Sequence, residues 1–255
     1  MGFVKTKEEI DAYYKITARH FPGARMLGVS FQTRPSIAAK LVPPPLKADP
    51  MGMATAFIAE YPETNLGPGY REAALFIKCT FQGEQGNYCL SMPIDGQEVR
   101  LYNGREIFGY PKKAAKIHLE KNDNLVSGWV ERHGIRFVEI KVTLASSLPA
   151  LPPQGPNFLF KASPRIDLQP GFDGPVLLCR QQTDLSVVSL ELGAAEVNLQ
   201  HSEFDPWDEL TVGNIFMGFY LVSNNTMQPG KVISEVPGES FLPYFFKMTD
   251  FAATP

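Results

Sequence analysis

The sequence predicts a mainly β fold of the α+β class, built as an antiparallel barrel or sandwich with peripheral helices. Segments in which apolar and polar residues alternate recur along most of the chain, and this period of two is typical of strands with one buried face. The 22 prolines and 21 glycines punctuate these segments, as expected where turns separate short strands. With 255 residues, 44% of them hydrophobic, residues 1–255 are expected to form a single domain with a substantial core.

The N-terminal region combines two helices with the first strand. A capping-box pattern at residues 6–9, followed by apolar residues at helical spacing, predicts a helix over residues 6–19. A strand is predicted over residues 26–32. A short helix follows over residues 34–41, where a proline falls in the first turn and its missing N–H does no harm. Thr33 is the expected cap of this helix.

The middle of the chain predicts a hairpin. Strands over residues 73–81 and 88–94 flank residues 83–86, which begin and end with glycine and are expected to form a four-residue connection. Another strand is predicted before the hairpin, over residues 53–59, and a short helix after it, over residues 97–106.

The remainder of the chain continues this pattern of short strands and turns. Four prolines and one glycine over residues 148–156 predict a loop. Segments rich in β-branched and aromatic residues predict further strands, over residues 115–119, 125–132, 136–144, 176–181, 185–192 and 216–222.

Composition excludes several functional classes. A formal net charge of -3 and a pI of about 5.9 leave no electrostatic footprint for nucleic acid. Three scattered cysteines, Cys79, Cys89 and Cys179, have no disulfide or zinc-binding pattern, so no metal is expected. No apolar run reaches the roughly 18 residues that a membrane span requires, and no signal peptide is visible. We therefore expect a cytoplasmic protein with no membrane partner.

The segment over residues 103–115 contains two adjacent lysines, Lys112 and Lys113, after Tyr110-Pro111. A lysine amine is normally protonated, with a pKa of about 10.4, and is then no nucleophile. Burial and a neighbouring cation both lower the pKa of a lysine. A lysine pair against apolar residues therefore offers an amine that can attack a carbonyl group, although most lysine pairs are solvated turns.

This segment resembles the acetoacetate decarboxylase family, in which a Gly-Arg-Glu sequence precedes an aromatic-Pro-Lys-Lys run. The resemblance extends over roughly residues 22–233 and is most specific around Lys112. It implies a closed antiparallel β-barrel with a flanking sheet that encloses Lys112 as the Schiff-base lysine. It also implies that Lys113 modulates the ionisation of its neighbour; acetoacetate decarboxylase is itself a standard example of a lysine activated in this way.

The resemblance assigns roles to three further residues. Glu72, in Gly69-Tyr70-Arg71-Glu72, corresponds to an acidic loop residue and is the candidate proton carrier or substrate-positioning acid; the alternative is a surface glutamate. Arg25 is the candidate partner of a substrate carboxylate, although the family's arginine aligns with Ala24. Phe57 stands where the family's decarboxylases carry a glutamate, so the substrate site is expected to be less polar.

These residues together imply a carbon–carbon lyase that needs no cofactor. We expect a carboxy-lyase that decarboxylates a β-keto acid, acetoacetate or a relative, through a Schiff base on Lys112, with release of CO2 and a ketone. The family likeness further implies a homo-oligomer with a small keto acid as its substrate. Two alternatives remain open: a Schiff-base aldolase or dehydratase acting on pyruvate-like carbonyl compounds, and a non-catalytic barrel that binds small molecules.

Overall fold

The computed structural model describes residues 2–149 and 154–250, so residues 150–153 of the predicted loop lie outside the described residues. Short helices flank a large sheet in the described part of the chain. The α-helices are α1 (Lys7–Tyr14), α2 (Pro35–Leu41), α3 (Glu98–Tyr102) and α4 (Gly238–Phe245). The strands are β1 (Arg19–Gln32), β2 (Lys47–Ala48), β3 (Met53–Thr64), β4 (Gly67–Phe81), β5 (Glu84–Asp95), β6 (Lys112–Ala114), β7 (Lys116–Asn122), β8 (Leu125–Arg132), β9 (Ile135–Leu148), β10 (Asn157–Lys161), β11 (Val176–Gln181), β12 (Thr183–Leu199), β13 (Ile215–Met227) and β14 (Lys231–Val236).

The strands form one open, mixed sheet. Its order is β14-β11-β10-β5-β4-β3-β1-β13-β12-β9-β8-β7, with β2 paired to β4 and β6 paired to β5. The prediction of a closed antiparallel β-barrel is wrong on two counts. Among the described residues the end strands β14 and β7 do not pair, and β5 is parallel to both β10 and β6. Alternation in sequence predicts strands and hairpins, but closure depends on whether the first and last strands of the sheet meet.

The parallel pair of β5 and β6 has a simple local cause. The chain leaves β5, passes through α3 and a π-helix (Asn103–Phe108), and returns beside β5 in the same direction. Parallel neighbours require such a crossover, whereas a tight turn makes antiparallel neighbours. The crossover carries the lysine pair to the start of β6.

Three central strands, β1, β3 and β4, are buried on both faces. On one side, which we call the core face, they pack with β8 and β9; each fully buried aliphatic side chain there contributes about 1.5–3 kcal/mol. The core face includes Leu27, Val29, Phe31, Ala54, Ala56, Ile58, Ala73, Leu75 and Ile77. The opposite side, which we call the cavity face, carries the intervening residues. It includes Met26, Gly28, Ser30, Thr55, Phe57, Ala59, Glu72, Ala74 and Phe76.

The register of these strands places the cavity-face residues in rows. The first row is Met26, Ala59 and Glu72; the second is Gly28, Phe57 and Ala74; the third is Ser30, Thr55 and Phe76. Successive rows are two residues apart along each strand, or about 6–7 Å. The row in which a residue lies therefore gives its approximate distance from Glu72 along the cavity.

Local differences from the sequence predictions have identifiable causes. The hairpin connection is only Gln82-Gly83, both with positive φ (49° and 88°), as a two-residue type I′ turn requires. The capping box of Thr6 is confirmed, but the helix ends at Tyr14 because β1 already begins at Arg19. Thr33 does not cap α2, whose N-cap is Arg34. Strands β10 and β14 and helix α4 carry no clear periodic pattern and were not predicted.

Among the helices that the structure describes, none is long and apolar enough to cross a membrane.

Candidate active site

Lys112 is the first residue of β6, and its side chain is buried against the cavity face. The parallel register pairs it with Met92 of β5, and only 5% of the residue is exposed. Its Nζ donates a hydrogen bond of 2.6 Å to Oε2 of Glu72 and lies 5.3 Å from the ring centroid of Tyr70. The sheet register therefore joins two candidate residues that are 40 positions apart in sequence.

Glu72 is held between the lysine and a buried phenol. Tyr61 donates a hydrogen bond of 2.9 Å to Oε1 of Glu72, and Glu72 itself is 6% exposed. Burial, with a further contribution from the Glu72 carboxylate, raises the pKa of Tyr61 and that of Tyr70 well above the ordinary value. Both phenols therefore remain protonated at neutral pH and act as donors.

A π-helix, Asn103–Phe108, covers the aliphatic part of Lys112. A Cβ at Gly104 would lie 2.4 Å from both Cδ and Cε of the lysine, so only glycine leaves room for the side chain there. The predicted helix over residues 97–106 is thus split into α3 and this wider turn, a distortion that often accompanies functional sites. The glycine of the Gly-Arg-Glu motif thereby acquires a packing role.

Lys113 points to the other side of β6, as strand alternation requires. Its Nζ lies 3.1 Å from Oδ1 of Asp250 and 3.6 Å from Oδ1 of Asp205, and it donates to the backbone oxygen of Phe204 at 2.7 Å. Arg132 contacts the same two aspartates. The hydrogen bond from Arg132, assisted by Lys113 and His133, lowers the pKa of Asp250 although burial opposes the shift. The modulating role of Lys113 stays a prediction. Asp205 and Asp250 balance the charge of this lysine.

The other two predicted residues lie on opposite faces of the sheet. Phe57 lies on the cavity face and stacks on Phe76 at 5.7 Å between ring centroids. Arg25 points to the core-face side of β1, near the end of the strand. Its Nη1 donates to Oε2 of Glu60 at 3.1 Å, and its side chain is 52% exposed. Arg71 donates to the other oxygen of Glu60. Arg25 stays a prediction as a carboxylate partner, but the structure does not bring it to Lys112.

Arg100 is a buried cation that sequence reasoning missed. It lies in α3, is 5% exposed, and donates through Nη2 to Thr64 Oγ1 at 3.0 Å and to the Pro68 oxygen at 2.7 Å. Its Cζ lies 5.3 Å from the centroid of the same Tyr70 ring that Lys112 contacts. No carboxylate among the described residues pairs with it. An arginine in a short helix with exposed neighbours carries no sequence signal of burial.

A second polar group near Lys112 is also buried. The Tyr110 hydroxyl donates to Oε1 of Gln181 at 2.7 Å and accepts from Nδ2 of Asn157 at 2.9 Å. Burial raises the pKa of Tyr110 above its ordinary value, so the phenol stays neutral. Asn157 is the first residue of β10 and Gln181 is the last residue of β11; Gln181 gave no sequence signal.

These groups open into one concave cavity of about 900 Å³. Its polar end contains an amine, a carboxylate and a guanidinium, from Lys112, Glu72 and Arg100. Within the described residues, no group of three or more His, Cys, Asp or Glu side chains lies together in a way that could hold a metal ion. A buried amine beside a carboxylate is equipped for nucleophilic attack on a carbonyl group followed by proton transfer.

Comparison with known proteins identifies a family and similar chains. The profile of the acetoacetate decarboxylase (ADC) family matches residues 3–236. An acetoacetate decarboxylase of Ralstonia nicotianae is 27% identical over 214 residues, which cover 80% of this chain and 84% of that protein.

Solved structures show the same fold. The acetoacetate decarboxylase of Legionella pneumophila superposes with a TM-score of 0.79 at 20% identity, covering 92% of this chain and 99% of that one. The enduracididine biosynthesis enzyme MppR, solved in complex with pyruvate, superposes with a TM-score of 0.74 at 18% identity, covering 86% and 91%. Because the family profile spans most of the chain, this protein belongs to the acetoacetate decarboxylase family.

Proposed function

We propose that this protein is a carboxy-lyase that decarboxylates a β-keto acid through a Schiff base on Lys112. The observation that carries the proposal is the buried hydrogen bond of 2.6 Å between Lys112 and Glu72 inside a cavity. An amine there can reach a bound ketone, and the carboxylate is positioned to accept the ammonium proton before the attack. Family membership supports the same reaction class.

The proposed chemistry begins with carbinolamine formation. The uncharged amine of Lys112 adds to the ketone carbon, and loss of water gives an iminium ion. As the water leaves, the protonated Glu72 donates its proton to the departing oxygen. The iminium nitrogen is a far better electron acceptor than the original carbonyl oxygen, so the substrate is prepared to lose CO2.

Carbon–carbon cleavage follows. The electron pair of the bond to the carboxylate moves toward the iminium, CO2 departs, and an enamine remains. Protonation of the enamine carbon and hydrolysis of the resulting iminium release the ketone and restore Lys112. The phenols of Tyr61 and Tyr70 hold Glu72 in place, and the apolar lining near Phe57 excludes water, which strengthens these polar interactions.

Arg100 is the proposed partner of the substrate carboxylate. Its Nε and Nη1 make no hydrogen bond to the described residues, and the guanidinium faces the cavity. A guanidinium offers two parallel donors to a carboxylate. Arg100 and Lys112 both contact the Tyr70 ring and both line the cavity, which supports a substrate that meets the two cations together.

A Schiff-base aldolase or dehydratase that uses pyruvate is the second candidate. The likeness of the fold to MppR, which was solved with pyruvate bound, favours it, as does Phe57 in place of an acidic residue. Both candidates share the iminium on Lys112 and differ in which bond breaks afterwards. The single domain, the homo-oligomer and the cytoplasmic location remain predictions.

Trapping the iminium tests both candidates. The protein is incubated with acetoacetate, longer β-keto acids or pyruvate, treated with borohydride, and digested for mass spectrometry. We expect a reduced adduct on the peptide containing Lys112 and evolution of CO2 with β-keto acids only. Lys112→Ala should lose the adduct and at least about a thousandfold in turnover, whereas Lys141→Ala, at an exposed position, should retain both. An adduct that persists in Lys112→Ala contradicts the proposal; an adduct without CO2 selects the aldolase.

A further inference from the structure

The cavity is much larger than the smallest β-keto acid requires. Its volume of about 900 Å³ is near the upper end of pockets that bury drug-sized ligands. Acetoacetate has only a methyl group beyond its ketone and would occupy just the polar end beside Lys112 and Glu72. Most of the cavity therefore serves something other than the reacting groups.

The cavity extends from Glu72 along β3 and β4, and on the opposite side of Glu72 it is lined by Phe21, Thr64 and Leu66. Lining residues on β4 recur from Tyr70 and Glu72 through Phe76 to Lys78, and those on β3 from Tyr61 to Met53. Six residues separate Glu72 from Lys78, which is about 20 Å along a strand. The space beyond Glu72 is thus an elongated channel that begins at the reactive lysine.

The walls of this channel are mainly apolar. Many of the lining side chains are hydrocarbon or thioether groups, which offer little to a polar ligand: Met26, Met53, Phe57, Phe76, Leu185, Phe216, Met217, Phe219 and Leu221. Polar side chains that also line the cavity are Asn87, Gln154, Asn157, Thr183 and Asn225. The third row contains two hydroxyl groups, but Ser30 and Thr55 hydrogen bond to each other at 3.1 Å. Each hydroxyl group therefore already has one hydrogen-bond partner without a ligand.

Small residues keep the channel open near the lysine. Ala59 and Ala74 occupy the first two rows beside Glu72 and Phe57. Gly28 makes room for the ring of Phe219, since a Cβ at this position would lie 2.1 Å from the ring's Cζ. The ring therefore lies close to the sheet. Exposed polar side chains, Lys78 and Gln85, line the far end.

We propose that the preferred substrate is a β-keto acid with an extended hydrocarbon tail, which lies in the channel while its carboxylate and ketone meet Arg100 and Lys112. Only the position of the reacting groups in this inference rests on the proposed function. The hydrocarbon character of the tail is inferred from the apolar walls and from the Ser30–Thr55 hydroxyl pair, which bond to each other. Its length is inferred from the extension of the channel from Glu72. Phe57, in the row beside Glu72, provides the first apolar surface that the tail contacts.

Binding of unreactive analogues tests the inference separately from catalysis. Straight-chain 3-hydroxy acids have no ketone and cannot form a Schiff base, so their affinity for the wild-type protein reports the channel alone. We expect calorimetry to show a roughly three- to fourfold gain in affinity for each added methylene, the gain typical of burial in an apolar site, from 3-hydroxybutyrate to 3-hydroxydodecanoate. An affinity that does not rise with chain length overturns the inference, whatever the borohydride experiment shows.

Blocking the channel by substitution provides a second test. Thr55→Phe places a ring in the third row, about 13 Å from the Glu72 row, and should weaken binding of the long acid at least about tenfold while leaving that of 3-hydroxybutyrate unchanged. Thr143→Phe makes the same replacement at an exposed strand position and should change neither. If Thr55→Phe fails to fold, Ser30→Leu in the same row replaces it. Equal losses for short and long acids, or none, contradict the channel.

Discussion

Two adjacent lysines in one short strand have opposite surroundings. Lys112 faces a cavity, pairs with one carboxylate at 2.6 Å and contacts an aromatic ring. Lys113 faces a closed ionic cluster that contains Asp205, Asp250 and Arg132. Both side chains are less than a tenth exposed, so burial alone does not distinguish them. The difference is access: a ligand can reach the first amine, whereas protein groups surround the second.

We therefore propose that the first lysine acts in chemistry and the second in stability. Alternation along β6 assigns the two sides, and the crossover through the π-helix determines which side is the cavity. Variants of the groups around each lysine test this division of roles.

The largest effect is expected from Glu72→Gln. The amide keeps the size of the side chain but cannot accept the proton of the lysine, so we expect kcat to fall by about 10²–10⁴-fold, as for loss of a general acid–base group. Steady-state kinetics with a β-keto acid measure this loss, and circular dichroism checks the fold. Glu63→Gln, at an exposed position on the neighbouring strand, is the matched control. A kcat for Glu72→Gln within a few-fold of wild type would mean that another group carries the proton.

An intermediate effect, on stability, is expected from Lys113→Met. Methionine retains the packing of the aliphatic stem but removes the hydrogen bond to the Phe204 oxygen and the ion pairs with Asp205 and Asp250, so the free energy of unfolding should fall by about 1–3 kcal/mol. Urea denaturation measures it. The borohydride adduct should still form on Lys112. Loss of the adduct in a folded Lys113→Met protein would show that the two lysines are not divided in this way.

The pH profile of the same variant measures the modulating role predicted for Lys113. A cation that favours the neutral form of its neighbour shifts activity to lower pH, so its removal should move the acid limb of the kcat profile to higher pH. Because Asp205 and Asp250 balance the charge of Lys113, we expect this displacement to be small.

The smallest effect concerns the acid stability that Asp250 provides. The folded protein lowers the pKa of this carboxyl group, chiefly through Arg132, so its contribution is complete above the unfolded pKa of about 3.9 and is lost as pH falls below it. Asp250→Asn lacks that contribution. The difference in unfolding free energy between wild type and Asp250→Asn should be about 1 kcal/mol or less at pH 5, since Asp250 is partly exposed, and should shrink steadily as pH falls below about 4. A difference that grows toward low pH would contradict the sign.

Much of the site was predictable where the signal is local. The Pro111-Lys112-Lys113 run identified the lysine, and Gly69-Tyr70-Arg71-Glu72 identified its carboxylate partner, through resemblance to a family. Strand alternation explains why Lys113 lies on the opposite side of β6. Arg100 and Gln181 gave no such signal, because their burial depends on elements distant in sequence that cover them.

The sequence by itself determined most of the longer strands and the two faces of each, because a side-chain period of two and the preferences of glycine and proline act over a few residues. It also identified Lys112 as the candidate reactive amine. The tertiary structure decided that the sheet stays open, that β6 lies parallel to β5, and that Glu72 rather than Asp205 or Asp250 meets Lys112. It also decided the length of the channel beside them. These features depend on strand register and chain crossover between residues far apart, which local patterns do not encode.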